Sequence, residues 1–308
     1  MSIHQNMSLP NTIQLGKNKE ISISTKGAFI NEFWIRLQDG KRNLIKGFAN
    51  PHELEEQLLR SYNGARLAPF PNRIADGKYS FEGIDYQLPI NFPHGGHAIH
   101  GFVAGMDYEV LESTWNQVSL LADYLGEKNA YPFLFRSKVS FILEGNRLTC
   151  VSEVTNMGTG NMPYAEGWHP YFQLGGKVDD WELSFPAKAQ IAVNDRMIPT
   201  GQTSVYQQFN EPKLIENQAF DTCFELQEAN RAITVVKHQS DGFQLKVFQE
   251  MGMGQYNFLQ LYIPEDRTSL AIEPMTCVPD VFNNGKGLII LQPNETIQLK
   301  WGMEVEML

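Results

Sequence analysis

Three histidines and three glycines fall within Pro93-His94-Gly95-Gly96-His97-Ala98-Ile99-His100-Gly101-Phe102. Imidazole exchanges protons near neutral pH, and glycine lets the backbone pass close to a ligand, so this segment is a candidate proton-transfer or binding loop. A solvated turn or an adventitious metal site is the plainer alternative. The spacing of His94, His97 and His100 would align them on a helix, but Gly95 and Gly96 disfavour one, so no metal site is expected. A second context is Gly167-Trp168-His169-Pro170-Tyr171-Phe172, a histidine among aromatic rings. On its own it is either a packed core histidine or part of a sugar site, since the C–H face of a pyranose lies on an aromatic ring while its hydroxyls take polar partners. Glu273, in Ser269-Leu270-Ala271-Ile272-Glu273-Pro274-Met275, is a carboxylate inside an apolar strand. It is paired, or solvated at a strand end, or desolvated with a raised pKa that makes it a usable base. Asp221, in Ala219-Phe220-Asp221-Thr222-Cys223-Phe224, poses the same question. Arg73, in Pro69-Phe70-Pro71-Asn72-Arg73-Ile74, sits in a stretch stiffened by two prolines, which limits the entropy a guanidinium loses on gripping a ligand. His4, His52 and His238 complete the histidines. No GxxxxGK[ST], strand-linked GxGxxG, GxSxG, HExxH or EF-hand pattern is present.

The elements that must position these groups read as strands. Residues 20–25, 28–37, 79–88, 118–125, 137–143, 147–154, 232–238, 243–250, 258–263 and 296–305 alternate apolar and polar side chains. Glu82-Gly83, Glu144-Gly145-Asn146 and Asp241-Gly242 are hairpin-type turns, so most neighbours should be antiparallel. Residues 51–60 form the one convincing helix, with Leu54 and Leu58 on one face and Glu53 and Glu56 turned away. Many short strands without long alternating helices predict an all-β sandwich, and the absence of a linker or composition break predicts a single domain over residues 1–308. No repeat suggests a propeller.

Composition narrows the partners. With 308 residues, 42% hydrophobic, the chain is too apolar to be disordered, and 25 basic against 35 acidic side chains leave a formal charge of −10. That balance repels phosphate backbones and anionic lipid, so neither nucleic acid nor a membrane surface is an expected partner; a small or neutral ligand is. No apolar run is long enough to span a bilayer and residues 1–10 are polar, which places the expected location in the cytoplasm. Cys150, Cys223 and Cys277 are widely spaced and odd in number, the pattern of buried free thiols.

Taken together, five segments resemble the aldose 1-epimerases, or galactose mutarotases, in order from about residue 60 to residue 285. Asn72-Arg73-Ile74 is similar to the family's Asn-Arg-Ile loop, and Gly96-His97-Ala98-Ile99-His100-Gly101 to its Asn-Ala-Leu-His-Gly-Gly segment, which maps the first active-site histidine to His100. Trp168-His169-Pro170-Tyr171-Phe172-Gln173-Leu174 resembles Asn-His-Ser-Tyr-Phe-Asn-Leu and maps the second to His169. Phe220-Asp221-Thr222-Cys223-Phe224 resembles Asp-His-Cys-Phe, and Ile272-Glu273-Pro274 with Pro279-Asp280-Val281-Phe282-Asn283 resembles the strand carrying the family's glutamate and the turn beyond. Trp168, Phe102 and Thr222 depart from the family pattern, as in a divergent branch.

The resemblance implies a galactose mutarotase-like supersandwich with one or two short helices, monomeric or homodimeric, acting on a monosaccharide without a cofactor. It implies interconversion of the α and β anomers of free aldohexoses such as galactose or glucose. Glu273, ionised, would take the O1 proton, His169, protonated, would donate to O5, and His100 would stabilise charge beside them. Arg73, Asp221 and Asn72 would bind hydroxyls, and Trp168 would stack on the sugar. Two other readings stand beside this one. A hexose 6-phosphate mutarotase would need cations converging on phosphate, with Arg60, Arg66, Arg73 and Lys78 near in sequence; a non-catalytic sugar-binding protein would keep the sandwich alone.

Overall fold

Alternation in the sequence becomes alternation in burial. In the computed structural model, which describes residues 9, 11–37, 40–238 and 241–308, Phe243, Leu245 and Val247 point into the core while Gln244 and Lys246 between them do not. The same two-residue rhythm runs through a nine-stranded sheet. In spatial order its strands are Glu109–Ser113, Gln117–Tyr124, Phe135–Glu144, Arg147–Asn156, Thr296–Met307, Phe243–Glu250, Arg231–His238, Trp181–Ser184 and Lys213–Leu214. A second sheet, of eight strands, runs Pro199–Val205, Ala187–Val193, Asp221–Leu226, Phe258–Tyr262, Leu270–Met275, Gly167–Trp168 and Arg66–Leu67, with Tyr171–Phe172 also paired to Leu270–Met275. Every strand pair in both is antiparallel. A four-stranded sheet made of Thr12–Leu15, Ile21–Ser24, Ile30–Leu37 and Gly40–Asn43 packs into the same core. The expected 79–88 strand is a hairpin, Lys78–Phe81 with Ile84–Gln87, turning at Glu82 and Gly83, both with positive φ.

The eight-stranded sheet has two unlike faces. Leu259, Leu261, Leu270, Ile272 and Phe224 join the main apolar core, which runs from Leu15 to Val305. Asp221, Gln260, Tyr262 and Glu273 point the other way, into a cavity.

The helix Pro51–Ser61 starts where its chemistry says it should. Asn50 Oδ1 accepts from the Glu53 N–H at 3.0 Å, Pro51 opens the first turn, and Glu53 Oε2 accepts from the Ala49 N–H at 2.8 Å. Leu54 and Leu58 pack with Leu9, Phe29 and Phe48. The helix ends at Tyr62, in the left-handed region, and so delivers Arg60, Ser61 and Tyr62 to the cavity wall. A four-residue helix, Val281–Asn284, is the other α-helix among the described residues. All three cysteines are buried and unbridged. Among the described residues no helix is long and apolar enough to cross a membrane.

Under the cavity lies a fully buried polar network. Arg66 Nη2 donates to Glu166 Oε2 at 2.7 Å and to the Tyr164 hydroxyl at 2.8 Å. Glu166 Oε1 accepts from Trp168 Nε1 at 3.1 Å and from the Tyr256 hydroxyl at 2.7 Å, and the Glu166 N–H donates to Thr276 Oγ1. Arg66 outweighs the desolvation that would neutralise Glu166 and holds its carboxyl below the usual range. Removing one member leaves its partner charged and dry, so Arg66→Met and Glu166→Leu should each cost about 3–5 kcal/mol in urea unfolding. The double variant should cost less than the sum, and strict additivity would show that the pair is not coupled.

Candidate active site

Register places the two central groups. Gly167 pairs with Met275 and Tyr171 with Ala271, so His169, midway between the first pair members, stands opposite Glu273, midway between the second. His169 Nε2 lies 3.5 Å from Glu273 Oε1, and both residues are buried. One strand further, Gln260 is the direct cross-strand partner of Glu273, and its amide donates to Asp221 Oδ1 at 2.7 Å.

Arg73 and His100 come from the facing loops. Arg73–Ile74 forms a short ladder with Ala98–Ile99. Asp280 anchors that ladder by donating its N–H to the Arg73 carbonyl and accepting from the Ala75 N–H. Arg73 Nη1 donates to Asn72 Oδ1 at 2.8 Å, and its Nη2 lies 3.6 Å from Asp221 Oδ2. Asn72 and His100 lock each other: the Asn72 N–H donates to His100 Nδ1 at 3.1 Å, and the His100 N–H donates to the Asn72 carbonyl at 2.9 Å. Both residues hold positive φ, 58° and 64°, a conformation that costs a non-glycine residue on the order of 1 kcal/mol. Since Nδ1 is an acceptor, the proton of neutral His100 sits on Nε2. Next to it, Gly101 at φ 61° does not approach a ligand; an added Cβ would meet the Ala68 carbonyl at 2.0 Å, so its role is tight backbone packing.

Burial sets the charge states. It raises Glu273 well above the ordinary carboxylate range, the Asp221 carboxylate adds to the rise, and Arg73 opposes it. Burial also lowers His169 to about 3. His100 is pushed well below its usual value by burial first, then by His169 and Arg73. The resting site therefore favours a carboxylic acid beside neutral imidazoles. His169 Nδ1, Gln260 Oε1 and Glu273 Oε2 are buried without a hydrogen-bond partner, a concentration of unsatisfied polar atoms in the walls of the cavity.

Of the residues expected at the site, Glu273, His169, His100, Arg73, Asp221 and Asn72 line one cavity of about 710 Å³. Trp168 does not. Neighbouring positions of a strand face opposite ways, so with His169 in the cavity Trp168 points between the sheets, fully buried against Trp301 and Phe141 and bonded to Glu166. It is a core residue, not a sugar platform. His94 lines the mouth, whereas His97 is buried and bonded to the Asp76 N–H and the Arg196 carbonyl. His52 and His238 lie elsewhere, beside Glu56 and Asp241, and His4 lies outside the described residues. Among the described residues no three His, Cys, Asp or Glu side chains are grouped to hold a metal ion. Of the cations a phosphate would need, Arg66 is spent on Glu166 and Lys78 lines a different cavity. Gln260, Tyr62 and Tyr262 are cavity residues that sequence reasoning missed; the one visible signal was Gln260 as a lone amide in Phe258-Leu259-Gln260-Leu261.

Comparison with known proteins identifies the family and the fold. The model of a family described as Aldose 1-epimerase matches residues 11–304. The uncharacterized protein YihR of Escherichia coli (strain K12) is 32% identical over 256 residues, covering 81% of this chain and 80% of its own. Galactose mutarotase of Sus scrofa is 29% identical over 203 residues, which are 61% of this chain and 55% of that protein. Among solved structures, a GalM/aldose epimerase homologue from C. elegans superposes with a TM-score of 0.84 at 18% identity, over 96% of this chain and 99% of that one. Galactose 1-epimerase from Lactobacillus acidophilus gives 0.79 at 19%, over 96% and 94%. Those two likenesses establish the galactose mutarotase-like β-sandwich fold. With a family match over nearly the whole length and a 32% identical relative over four-fifths of it, the chain belongs to the aldose 1-epimerase family.

Proposed function

We propose that the protein interconverts the α and β anomers of free aldohexoses such as galactose or glucose, with Glu273 and His169 as the acid–base pair. The observation that carries this reading is the 3.5 Å approach of His169 to Glu273 on the floor of a cavity walled by Arg73, His100, Asp221 and Gln260. The family description and the name of the Sus scrofa relative support the same substrate class.

Ring opening needs one base and one acid. The O1 proton passes to Glu273, O5 takes a proton from His169, and the C1–O5 bond breaks as C1=O1 forms. The aldehyde turns about C1–C2, O5 adds back to the other face, and both protons return. Nothing is consumed. At rest the pair shares a single proton, and burial lodges it on the carboxyl. Moving that proton to His169 Nε2 creates the carboxylate and imidazolium that the reaction uses, at no change in total charge. Arg73, which favours the ionised carboxyl, and a substrate hydroxyl donating to it both assist the transfer. His100, fixed by Asn72 as a neutral Nε2–H donor, stabilises charge on O1 or O5, while Asp221 and Gln260 accept from hydroxyls across the ring.

Positioned proton transfers are each worth about 100- to 10,000-fold. Glu273→Gln and His169→Asn should therefore each lower kcat/KM at least about 100-fold, as followed by polarimetry of freshly dissolved α-glucose or α-galactose; wild-type rates in both would remove the assignment. The competent pair holds one proton. It gains a second only as pH falls toward about 3 at His169, and loses its own only above the raised value of Glu273. The acidic limb of kcat/KM should accordingly lie well below the range in which an ordinary histidine gains its proton, and an acidic limb centred near 6.5 would contradict the shared-proton pair. A third outcome concerns stability. Because folding raises Glu273 above its ordinary 4.5, its contribution is fully present below that pH and is lost as pH rises toward the folded value. Glu273→Gln should thus gain Tm relative to wild type as pH rises from about 4.5. An equal pH dependence in both proteins would show that the carboxyl is not raised.

A further inference from the structure

One turn touches both imidazoles of the site. Where the helix Pro51–Ser61 ends, Tyr62 takes a positive φ of 53° and Gly64 one of 68°, and the Ala65 N–H donates back to the Tyr62 carbonyl at 2.9 Å. This reversal meets His169 through the main chain: the Gly64 N–H donates to the His169 carbonyl at 3.0 Å, and the His169 N–H donates to the Ala65 carbonyl at 2.8 Å. It meets His100 through a side chain. The Tyr62 ring packs on the His100 ring with centroids 4.7 Å apart and planes tilted by 58°.

Tyr62 is itself held in place. It is buried, and its hydroxyl accepts from Asn91 Nδ2 at 3.1 Å. Asn91 in turn clamps the residue before His100: its Oδ1 accepts from the Ile99 N–H at 2.7 Å, and its Nδ2 donates to the Ile99 carbonyl at 2.9 Å. Ile99 also packs on the cluster of Tyr62, Ala65, Leu67 and Ala104. Burial pushes the Tyr62 hydroxyl up to about 12, so the ring is a neutral wall that adds no charge beside the imidazole.

His100 needs such a wall. Its Nδ1 is fixed by one bond, from the Asn72 N–H at 3.1 Å, and a single bond to one ring atom leaves the ring able to tilt. Nε2, the atom that the proposed function uses, moves most in such a tilt. A donor stabilises developing charge only when it is aimed before the charge appears, and hydrogen bonds weaken steeply as they bend. The rings packed against His100 are Tyr62 and, edge to face at 5.4 Å, His169. We infer that Tyr62 is a positioning residue for the reaction: its ring aims the His100 Nε2–H, and the turn it opens fixes that donor relative to His169. The inference rests on the proposed function and adds to it a residue through which no proton passes.

The test is a double-mutant cycle on the anomerisation of α-glucose, followed by polarimetry. Tyr62→Leu keeps a buried apolar side chain but not a planar one. His100→Asn removes the Nε2–H donor at a position where asparagine tolerates positive φ. Tyr62→Leu should lower kcat about tenfold with KM changed less than about twofold, and Tyr62→Phe, which keeps the ring, should recover most of that loss. In the His100→Asn background, Tyr62→Leu should change kcat less than about twofold. An equal effect of Tyr62→Leu in both backgrounds, or a loss carried by KM, would show that Tyr62 touches the sugar or merely supports the fold, and would overturn the positioning role while leaving the epimerase reading in place. Wild-type kcat in Tyr62→Leu would overturn it as well. Should Tyr62→Leu fail to fold, Tyr62→Met, whose flexible chain fills the same space, takes its place in the cycle with the same outcomes. No turnover by the wild type would overturn the epimerase reading and the inference with it.

Discussion

One strand register carries the site. Gly167 against Met275 and Tyr171 against Ala271 leave His169 facing Glu273, and the close approach of imidazole and carboxyl depends on that alignment. Side chains on a strand alternate with period two, so slipping one residue would exchange the two neighbours, driving Trp168 into the cavity and His169 between the sheets. The register is therefore held by more than its own hydrogen bonds. Trp168 is wedged against Trp301 and Phe141, and its indole N–H is tied to Glu166. The tryptophan serves the cavity only indirectly, as the wedge that keeps the histidine outward.

The Arg66–Glu166 pair extends the same logic. Arg66 lies on the strand beside Gly167–Trp168, and Glu166 reaches Thr276 at the end of the strand bearing Glu273. One dry ion pair thus spans the segments that must stay in phase. Such a pair is weak evidence for net stability but good evidence for specificity, because misaligned alternatives strand a charge in the core. The fold in this way commits polar groups below the cavity to alignment and leaves polar atoms in its walls without partners.

Much of this was legible in the residues themselves. Period-two alternation marked the long strands, because one face of each is buried, and Asn50, Pro51, Leu54 and Leu58 marked the helix, because capping and amphipathicity are local. The titratable site residues stood out as polar groups in apolar or glycine-rich surroundings. Other features depend on distant partners. The 12–15 strand is only four residues long, and the 109–113 and 199–205 strands lack alternation and are exposed along their whole length or nearly so. Gln260 and Tyr262 gain meaning only from lying beside Glu273 and Asp221, and Trp168 was misplaced because neighbours in sequence need not share a face. The neutral resting state of the His169–Glu273 pair was likewise invisible, since burial is a property of the whole fold.

The interlocked Asn72 and His100 carry a different kind of information. Both occupy a backbone region that glycine would enter freely, and each forms its bond to the other at the expense of local relaxation. Glycine at position 100 would ease the chain but leave the buried Asn72 N–H without its acceptor, so the imidazole holds the shape of the loop as well as turning Nε2 toward the cavity.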